Sequence, residues 1–453
     1  MVSSRRPGRL SSLRGESRSQ ALLGLLVVST LLAGCGDKPA ADPNAVTLTF
    51  WHSFVSSTRP ALDELIQSFE ADNPGIRINA QYIPTGDALV QKLVAAIRSE
   101  TAPDIAWIHA DFMDKLVQAD AIYRMDRFVE GPDGLSHDEL NDFFPGLLQT
   151  ASWRDTLYSI PMEATSLGLV YNRDLFRVAG LDPRRPPATW DELRDFAMQL
   201  TRDTNDDGKT DQWGLYVPVF PASGSLNIWM VLQWTPFLWQ SGGNIIDETQ
   251  TEVLFNSAAG VRALTYWRDL YSAQKLDGFA IAHDVGFASG RLAMVFDGPW
   301  SLPRYREMQD VDWAIAPLPA GPAGSATYLA GEQLAIFKQT THPDDAWTFI
   351  KWVVQPEIQA MFSQSSGYLP VRQSTLDIES YREYLASDSA LAVFVDQMKV
   401  ARTRRPIDFH HVELNRHIAE AIEQTIVGKV DPKTALDEAA EKSNSLLATR
   451  PHE

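Results

Sequence analysis

The chain has 453 residues, a formal net charge of −18, 44% hydrophobic residues and 22% charged residues. Its length exceeds that of one ordinary domain, so two lobes are expected. The acidic balance argues against a general surface for nucleic acid or anionic lipid, and a single cysteine excludes a disulfide within the chain.

The N-terminal region has the pattern of a secretory signal. Five arginines come before the apolar stretch 22–32, which is shorter than the about 20 residues that span a bilayer. The stretch ends at Leu32-Ala33-Gly34-Cys35, which resembles a bacterial lipobox with Cys35 as the lipidated residue; a lone buried thiol is the alternative. We therefore predict a signal peptide over 1–34, a tether over 35–44, and anchoring to the bacterial membrane, in the periplasm or on the outer face of the cell membrane.

The following segment alternates strand and helix patterns. Strands are predicted at Val46–Phe50, Ile76–Ile83 and Asp104–His109, and apolar stripes at helical spacing predict helices over Leu62–Phe69 and Leu89–Ile97. This order predicts a parallel sheet with right-handed crossovers.

Two later stretches, near Ile160–Met162 and Trp313–Pro319, are predicted to pass between the lobes. Thr189 and Glu192 have the spacing of a capping box at the start of a helix. From Val412 onward the pattern predicts two final helices, the second starting at Asp431-Pro432.

Nine short motifs then identify a family resemblance. They are Thr49–Ser53, Phe69–Pro74, Ala102–Ile105, Tyr171–Asp174, Pro187–Leu193, Trp239–Gly243, Gly290–Met294 followed by Gly298-Pro299-Trp300, Gly331–Ile336 and Gly367–Pro370. In this order they resemble the extracellular solute-binding proteins of carbohydrate ABC importers, which include maltose-binding and glycerol-3-phosphate-binding proteins. The resemblance covers nearly the whole chain after residue 44.

The resemblance implies an α/β, periplasmic-binding-protein-like fold. Each of its two lobes has a mainly parallel sheet flanked by helices, and hinge strands join the lobes. Residues 45–160 and 317–369 would form the N-terminal lobe, and residues 161–316 and 370–453 the C-terminal lobe. Such a monomer closes on a sugar or oligosaccharide in the interlobe cleft and delivers it to the transmembrane permease subunits, without a required cofactor or nucleic acid.

Six candidate ligand contacts follow predicted strands. Trp300 lies in a Gly-Pro-Trp motif that supplies a sugar-stacking ring in the maltose-binding relative; a packed core tryptophan is the alternative. Asp297 and Asp111 are expected either to accept hydrogen bonds from ligand hydroxyls or to cap helices. Trp51, His52 and Ser53 occupy the same position after the first strand.

Three further candidates lie near the expected lobe crossings. Glu163 is expected to face the cleft or to form a hinge salt bridge. Glu332 follows a glycine at the start of a strand that returns to the first lobe. Tyr368 matches a ligand-contacting tyrosine of the glycerol-3-phosphate-binding relative.

The pocket departs from that relative at two places. Thr85-Gly86-Asp87 replaces its tyrosine, and residues 408–412 contain no arginine at the best-matching position. A neutral sugar is therefore favoured over a phosphate ester, with a glycerol-3-phosphate or glycerophosphodiester ligand as the alternative.

An acidic loop has part of the pattern of a calcium-binding loop. Oxygen-bearing residues and a glycine occur at suitable spacing, but position 12 is Gly214 instead of glutamate. The predicted structural calcium site consists of Asp203, Asn205, Asp207, Lys209 and Asp211; a polar turn is the alternative.

An extracellular carbohydrate-active enzyme is the rival class. A glycoside hydrolase needs two opposed carboxylates about 5 to 9 Å apart, and no local motif identifies such a pair. Motifs for a serine nucleophile elbow, a zinc protease, a P-loop and a dinucleotide site are also missing. We therefore expect a binding protein and not an enzyme.

Overall fold

The computed structural model describes residues 44–85, 87–224, 226–278, 281–404 and 410–449, all within one compact unit, Asp42–Glu453. The predicted signal peptide, Cys35 and nearly all of the tether lie outside the described residues. Within the described ranges, the helices are too short or too polar to cross a membrane.

Strands and helices alternate along most of the described chain. The strands are β1 (Val46–His52), β2 (Ile76–Tyr82), β3 (Ile105–Ile108), β4 (Ser152–Trp153), β5 (Thr156–Leu157), β6 (Ile160–Pro161), β7 (Gly168–Asn172), β8 (Trp213–Leu215), β9 (Leu292–Asp297), β10 (Trp313–Pro317), β11 (Thr327–Tyr328), β12 (Gln333–Ile336) and β13 (Ala401–Arg402).

The helices are mostly short and surround the two larger sheets. They are α1 (Arg59–Asp72), α2 (Asp87–Arg98), α3 (Met113–Gln118), α4 (Asp126–Val129), α5 (His137–Asn141), α6 (Pro145–Thr150), α7 (Arg173–Val178), α8 (Trp190–Leu200), α9 (Asn227–Gln240), α10 (Ala258–Ala273), α11 (His283–Ala288), α12 (Leu302–Glu307), α13 (Pro343–Val353), α14 (Pro356–Ser366), α15 (Glu379–Ser387), α16 (Ser389–Gln397), α17 (His411–Ile426) and α18 (Pro432–Leu447). Short 3-10 helices cover Ala110–Phe112, Leu276–Gly278, Pro299–Ser301 and Gln373–Asp377.

The first sheet has the strand order β2-β1-β3-β12-β6. Strand β1 runs parallel to β2 and β3, so the predicted strand–helix–strand–helix–strand unit is confirmed. Strand β12 is antiparallel to both β3 and β6. The carboxyl end of β3 therefore lies beside the start of β12, which brings the residues after β3 close to Glu332.

The second sheet has the order β10-β7-β9-β8. Only β8 and β9 pair in parallel, whereas β7 is antiparallel to β9 and to β10. Both sheets are therefore mixed, although mainly parallel sheets were predicted. The antiparallel pairs arise because β7 and β10 belong to the segments that connect the two sheets and run opposite to their neighbours.

Each sheet is packed within its own hydrophobic cluster. The first cluster includes Phe50, Ile105 and Leu334, and the second includes Leu169, Val295 and Ile418. Leu391 and Phe394 pack in the first cluster, although their range was assigned to the second lobe. The partly buried Trp300 packs against both clusters, so it lies where the two lobes meet.

The N-terminal caps of two helices match the caps predicted from the sequence in part. Asp431 accepts a hydrogen bond from the Thr434 N–H at 3.2 Å and caps α18, as predicted. Thr189 accepts from the Glu192 N–H at 3.3 Å, but the Glu192 carboxylate binds the Ala188 N–H at 2.9 Å. Only half of the predicted capping box is therefore formed, because the glutamate reaches one residue beyond the cap.

Candidate ligand-binding site

Two glutamates from different crossing segments meet between the lobes. Glu163 follows β6 and is fully buried, and Glu332 directly precedes β12 with 12% of its side chain exposed. Their side chains are in hydrogen-bonding contact. Glu163 also accepts a hydrogen bond from Trp107 Nε1 at 3.1 Å, and Glu332 Oε1 lies 3.3 Å from His109 Nδ1. The expected hinge salt bridge of Glu163 is thus replaced by contact with a second acid.

A glycine allows these segments to approach each other. A Cβ atom on Gly331 would lie 2.0 Å from the backbone oxygen of Glu163, well inside contact distance. The Thr165 N–H donates to the Ala330 carbonyl at 2.7 Å on the same pair of segments. Gly331 is therefore required by the close backbone approach that brings the two acids together.

Tyr368 completes the acidic cluster from a third segment. Its ring stacks with Phe362 at a centroid distance of 6.3 Å and an interplanar angle of 4°, and it meets Phe54 edge-on at 5.7 Å. Burial raises the pKa of Tyr368 well above its usual value, and the charges of Glu332 and Glu163 raise it further. The phenol therefore stays protonated and can donate a hydrogen bond.

Buried hydroxyl groups lie on the same crossing segment as Glu163. Thr165 Oγ1 and Ser166 Oγ have no hydrogen-bond partner among the described residues, and neither does one carboxylate oxygen each of Glu163 and Glu332. Buried polar atoms are normally paired, so unpaired ones require an explanation. Thr165 and Ser166 were not predicted as site residues; their position directly after Glu163 was the available signal.

Asp111 joins the first lobe to the C-terminal helices. Its Oδ1 lies 2.8 Å from His411 Nε2 and 3.2 Å from Arg404 Nη2, while Oδ2 accepts from Asn415 Nδ2 at 3.2 Å. Burial alone would raise the pKa of Asp111, but His411 and Arg404 outweigh it and hold that pKa well below its usual value. Asp111 is thus an ionised interlobe bridge more than a simple helix cap.

Arg404 is the cation that the sequence did not identify. It lies shortly after β13, a few residues before the stretch in which an arginine was sought. Its guanidinium also donates to Asn415 Oδ1 at 2.8 Å. Tyr328 lies between this network and the glutamates. Burial raises the pKa of Tyr328 to about 12, and the charges of Arg404, Asp111 and Glu332 also act on it.

Trp300 presents an aromatic ring at the boundary between lobes. It contacts Trp229 edge-on at 5.3 Å, and its carbonyl faces Ser57 Oγ of the first lobe at 3.5 Å. A Cβ on Gly298 would fall 1.9 Å from the indole, so the ring lies directly over that glycine. This position suits a stacking surface for the C–H face of a sugar.

Asp297 is occupied by neighbours in its own lobe. Its Oδ2 accepts from Tyr305 Oη at 2.8 Å and from Arg304 Nη2 at 3.1 Å, and its Oδ1 accepts from the Gly298 N–H at 2.8 Å. Only 2% of Asp297 is exposed. These contacts favour a role in shaping the loop below Trp300.

Trp51, His52 and Ser53 contact mainly the first lobe. Trp51 and His52 were expected after the first strand but form its last two residues, because β1 extends to His52, and only Ser53 follows it. Trp51 Nε1 donates to Gln81 Oε1 at 3.2 Å, and Lys92 covers its ring at 4.5 Å. Ser53 donates to the Ile83 carbonyl at 2.8 Å. Burial lowers the pKa of His52 to about 4, and the charge of Arg59 acts in the same direction. His52 is therefore a neutral side chain of the interior.

The predicted calcium loop forms a hydrogen-bonded turn. Asp203 accepts from the backbone N–H groups of Asn205, Asp207 and Gly208, and Asp207 accepts from that of Lys209 at 2.8 Å. Asp211 accepts from the Thr204 N–H at 2.9 Å. The described residues contain no group of three or more His, Cys, Asp or Glu placed to hold a metal ion. Calcium binding stays a prediction.

Comparisons with known proteins agree with this architecture. A family model described as "Bacterial extracellular solute-binding protein" matches residues 64–389. The sn-glycerol-3-phosphate-binding periplasmic protein UgpB of Escherichia coli K12 is 26% identical over 417 residues, which cover 88% of this chain and 92% of that protein.

Two solved structures share the fold over most of the chain. The cyclic α-maltosyl-1,6-maltose binding protein of Arthrobacter globiformis is 27% identical with a TM-score of 0.74, covering 90% of this chain and 100% of that one. An ABC transporter solute-binding protein of Thermotoga lettingae bound to α-D-tagatose is 24% identical with a TM-score of 0.77, covering 89% and 100%. With its two sheets, two cores and a polar cluster between them, the chain belongs to the bacterial extracellular solute-binding proteins.

Proposed function

We propose that this protein binds a sugar or oligosaccharide between its lobes and delivers it to the permease of an ABC importer. The observation that carries the proposal is the interlobe cluster of Glu163, Glu332, Thr165, Ser166 and Tyr368. It offers unpaired buried acceptors and hydroxyls beside an aromatic surface. Sugars need this combination, since their hydroxyls require hydrogen-bond partners and their ring faces are apolar.

The relatives support a transported solute of this kind. The Arthrobacter globiformis protein is named for a cyclic maltosyl-maltose, and the Thermotoga lettingae protein is bound to tagatose. Lobe closure on such a ligand shifts the population of closed molecules by the difference in ligand affinity between the two forms. Lipidation of Cys35 would hold the protein at the membrane beside the permease and raise its effective concentration there.

A glycerol-3-phosphate or glycerophosphodiester ligand is the second candidate. The similarity to UgpB favours it, and Arg404 supplies a cation near the cleft. That cation is already paired with Asp111, however, and the nearby glutamates add negative charge. A sugar therefore fits the described cluster better than a phosphate ester.

A carbohydrate-active enzyme fits the glutamate pair poorly. Retaining glycosidases hold their two carboxyl groups about 5 to 5.5 Å apart, and inverting ones hold them farther apart, so that the scissile bond fits between them. Glu163 and Glu332 are in direct contact, which leaves no such space. The geometry of this pair therefore supports the proposed binding function over a glycosidase function.

A thermal-shift screen with mono- and oligosaccharides and sn-glycerol 3-phosphate tests the proposal. A ligand that binds only the folded protein raises its melting temperature and is recovered unchanged. Chromatography of the same mixtures detects hydrolysis products. Hydrolysis of any sugar, or a shift with the phosphate ester alone, would rule out the sugar-binding function.

A further inference from the structure

The side-chain contact between Glu163 and Glu332 has no hydrogen-bond donor when both carboxyl groups are ionised. Both side chains offer acceptor oxygens when ionised, and one buried oxygen of each has no N–H or O–H partner among the described residues. Two acceptors form a hydrogen bond only when one of them carries a proton. Two negative charges in contact within the interior would also repel each other strongly.

Burial acts in the same direction as this repulsion. Glu163 is fully buried, and its burial raises its pKa well above the usual value of a carboxyl group. The charge of Glu332 raises it further, while the hydrogen bonds from Trp107 and from the backbone N–H of Glu332 oppose the shift. A carboxyl group in such surroundings keeps its proton near neutral pH.

We propose that Glu163 and Glu332 share one proton across the hinge, and that this singly charged pair selects uncharged polyhydroxyl ligands over phosphate esters. The pair lies on the two segments that connect the lobes, so its protonation is linked to the arrangement in which those segments meet. The selection of ligands rests on the proposed function, whereas the shared proton does not.

Five titratable or charged groups surround the pair. Tyr368 faces both acids from the turn after α14, His109 lies against Glu332 from the end of β3, and Tyr328 approaches from β11. Asp111 and Arg404 act beyond Tyr328 and bind each other. A cation is thus held close to the pair, but its charge is already balanced.

This charge arrangement determines which ligands are accepted. A shared proton leaves one negative charge on the pair and at least one free acceptor lone pair for a ligand hydroxyl. A phosphate ester would bring further negative charge into the same buried region, where electrostatic repulsion is weakly screened. A neutral sugar meets no such repulsion.

The shared proton is tested first without ligand, by urea unfolding of the purified protein from pH 5 to pH 8. A carboxyl group whose pKa is raised on folding stabilises the protein most below its unfolded pKa, and this contribution is lost as the pH rises toward the folded pKa. Between the unfolded and the folded pKa, folding takes up one proton. The folding equilibrium constant therefore falls by about tenfold per pH unit between those two pKa values.

Glu163→Gln removes the titrating group and keeps its shape. We expect this variant to lose the pH slope, so that its stability relative to wild type increases with pH. Glu332→Gln, at the more exposed member of the pair, should also reduce the slope and serves as the second variant if Glu163→Gln fails to fold. Glu130→Gln, at an exposed carboxyl group, should keep the wild-type slope. A wild-type slope in both pair variants overturns the shared proton.

The ligand arm uses maltose and sn-glycerol 3-phosphate as probes at pH 7. A melting-temperature increase with maltose and none with the phosphate supports the selection. An increase of wild type with the phosphate overturns it even if the shared proton is confirmed. If neither probe and no sugar of the wider screen raises the melting temperature, both the ligand selection and the proposed function are ruled out. The urea unfolding data still test whether Glu163 and Glu332 share a proton.

Discussion

At the residue scale, Trp300 is the side chain for which sequence and structure agree most closely. The sequence placed it after a strand in a Gly-Pro-Trp motif, and the structure places it against the hydrophobic clusters of both lobes. Asp297, three positions before Trp300, instead binds Arg304 and Tyr305. Two nearby positions in one loop therefore have different roles, because Trp300 faces the cleft and Asp297 supports the loop.

The first prediction concerns Trp300. Trp300→Ala removes the proposed stacking surface and should weaken binding of the sugar found in the screen by at least tenfold, which is about 1.4 kcal/mol. Isothermal titration calorimetry measures the change. Trp153→Ala, at another partly buried tryptophan in the β4–β5 hairpin, is the control and should leave affinity unchanged. Equal affinities of wild type and Trp300→Ala would remove this residue from the site.

A second residue-scale prediction concerns Gly331. In Gly331→Ala the new methyl group meets the Glu163 carbonyl at 2.0 Å, so the two crossing segments must separate. We expect a loss of about 1 to 3 kcal/mol of unfolding free energy, measured with urea. Gly75→Ala is the matched control, since its methyl group meets nothing within 4 Å. If both variants have equal stability, the close approach is not required.

At the element scale, local patterns predicted elements well and predicted their pairing less well. The alternation from Val46 and the apolar stripe of α1 are properties of adjacent residues, so β1, α1 and β2 were found from sequence. The antiparallel placement of β12 beside β3 depends on contacts between residues 333–336 and 105–108, which no local pattern encodes. The contact of Glu163 with Glu332 depends on that pairing and was missed for the same reason.

The cap of α18 provides a prediction at this scale. Asp431→Ala removes the acceptor for the Thr434 N–H and leaves an unsatisfied donor in the first turn. The expected cost is about 1 kcal/mol of unfolding free energy, measured by urea denaturation. Glu438→Ala changes an exposed position of the same helix and should alter stability by less than about 0.5 kcal/mol. A larger loss in Glu438→Ala than in Asp431→Ala would contradict the capping role.

At the scale of the whole molecule, polar contacts near the cleft connect the lobes without a ligand. Asp111 and Arg404 are 293 positions apart in the chain, and Lys115 binds Glu413 at 2.9 Å beside them. Asp111 and Lys115 belong to the segment after β3. Arg404 precedes α17, and Glu413 lies within it. These contacts hold the C-terminal helices against the first lobe, so they influence how readily the lobes separate.

The last prediction tests this bridge. Asp111→Asn removes the negative charge that pairs with Arg404 and His411, and the buried guanidinium can then recover hydration only if the lobes separate. We expect a larger radius of gyration by small-angle X-ray scattering without ligand, and a loss of about 3 to 5 kcal/mol of unfolding free energy.

The control for this bridge is an ion pair within one lobe. Asp120→Asn breaks the exposed contact with Lys338 and should change neither the radius of gyration nor the stability by a measurable amount. An Asp111→Asn protein with the wild-type radius would show that the bridge does not hold the lobes together. If only the stability falls, the network supports the fold locally, and separation of the lobes is then governed by the crossing segments that carry Glu163 and Glu332.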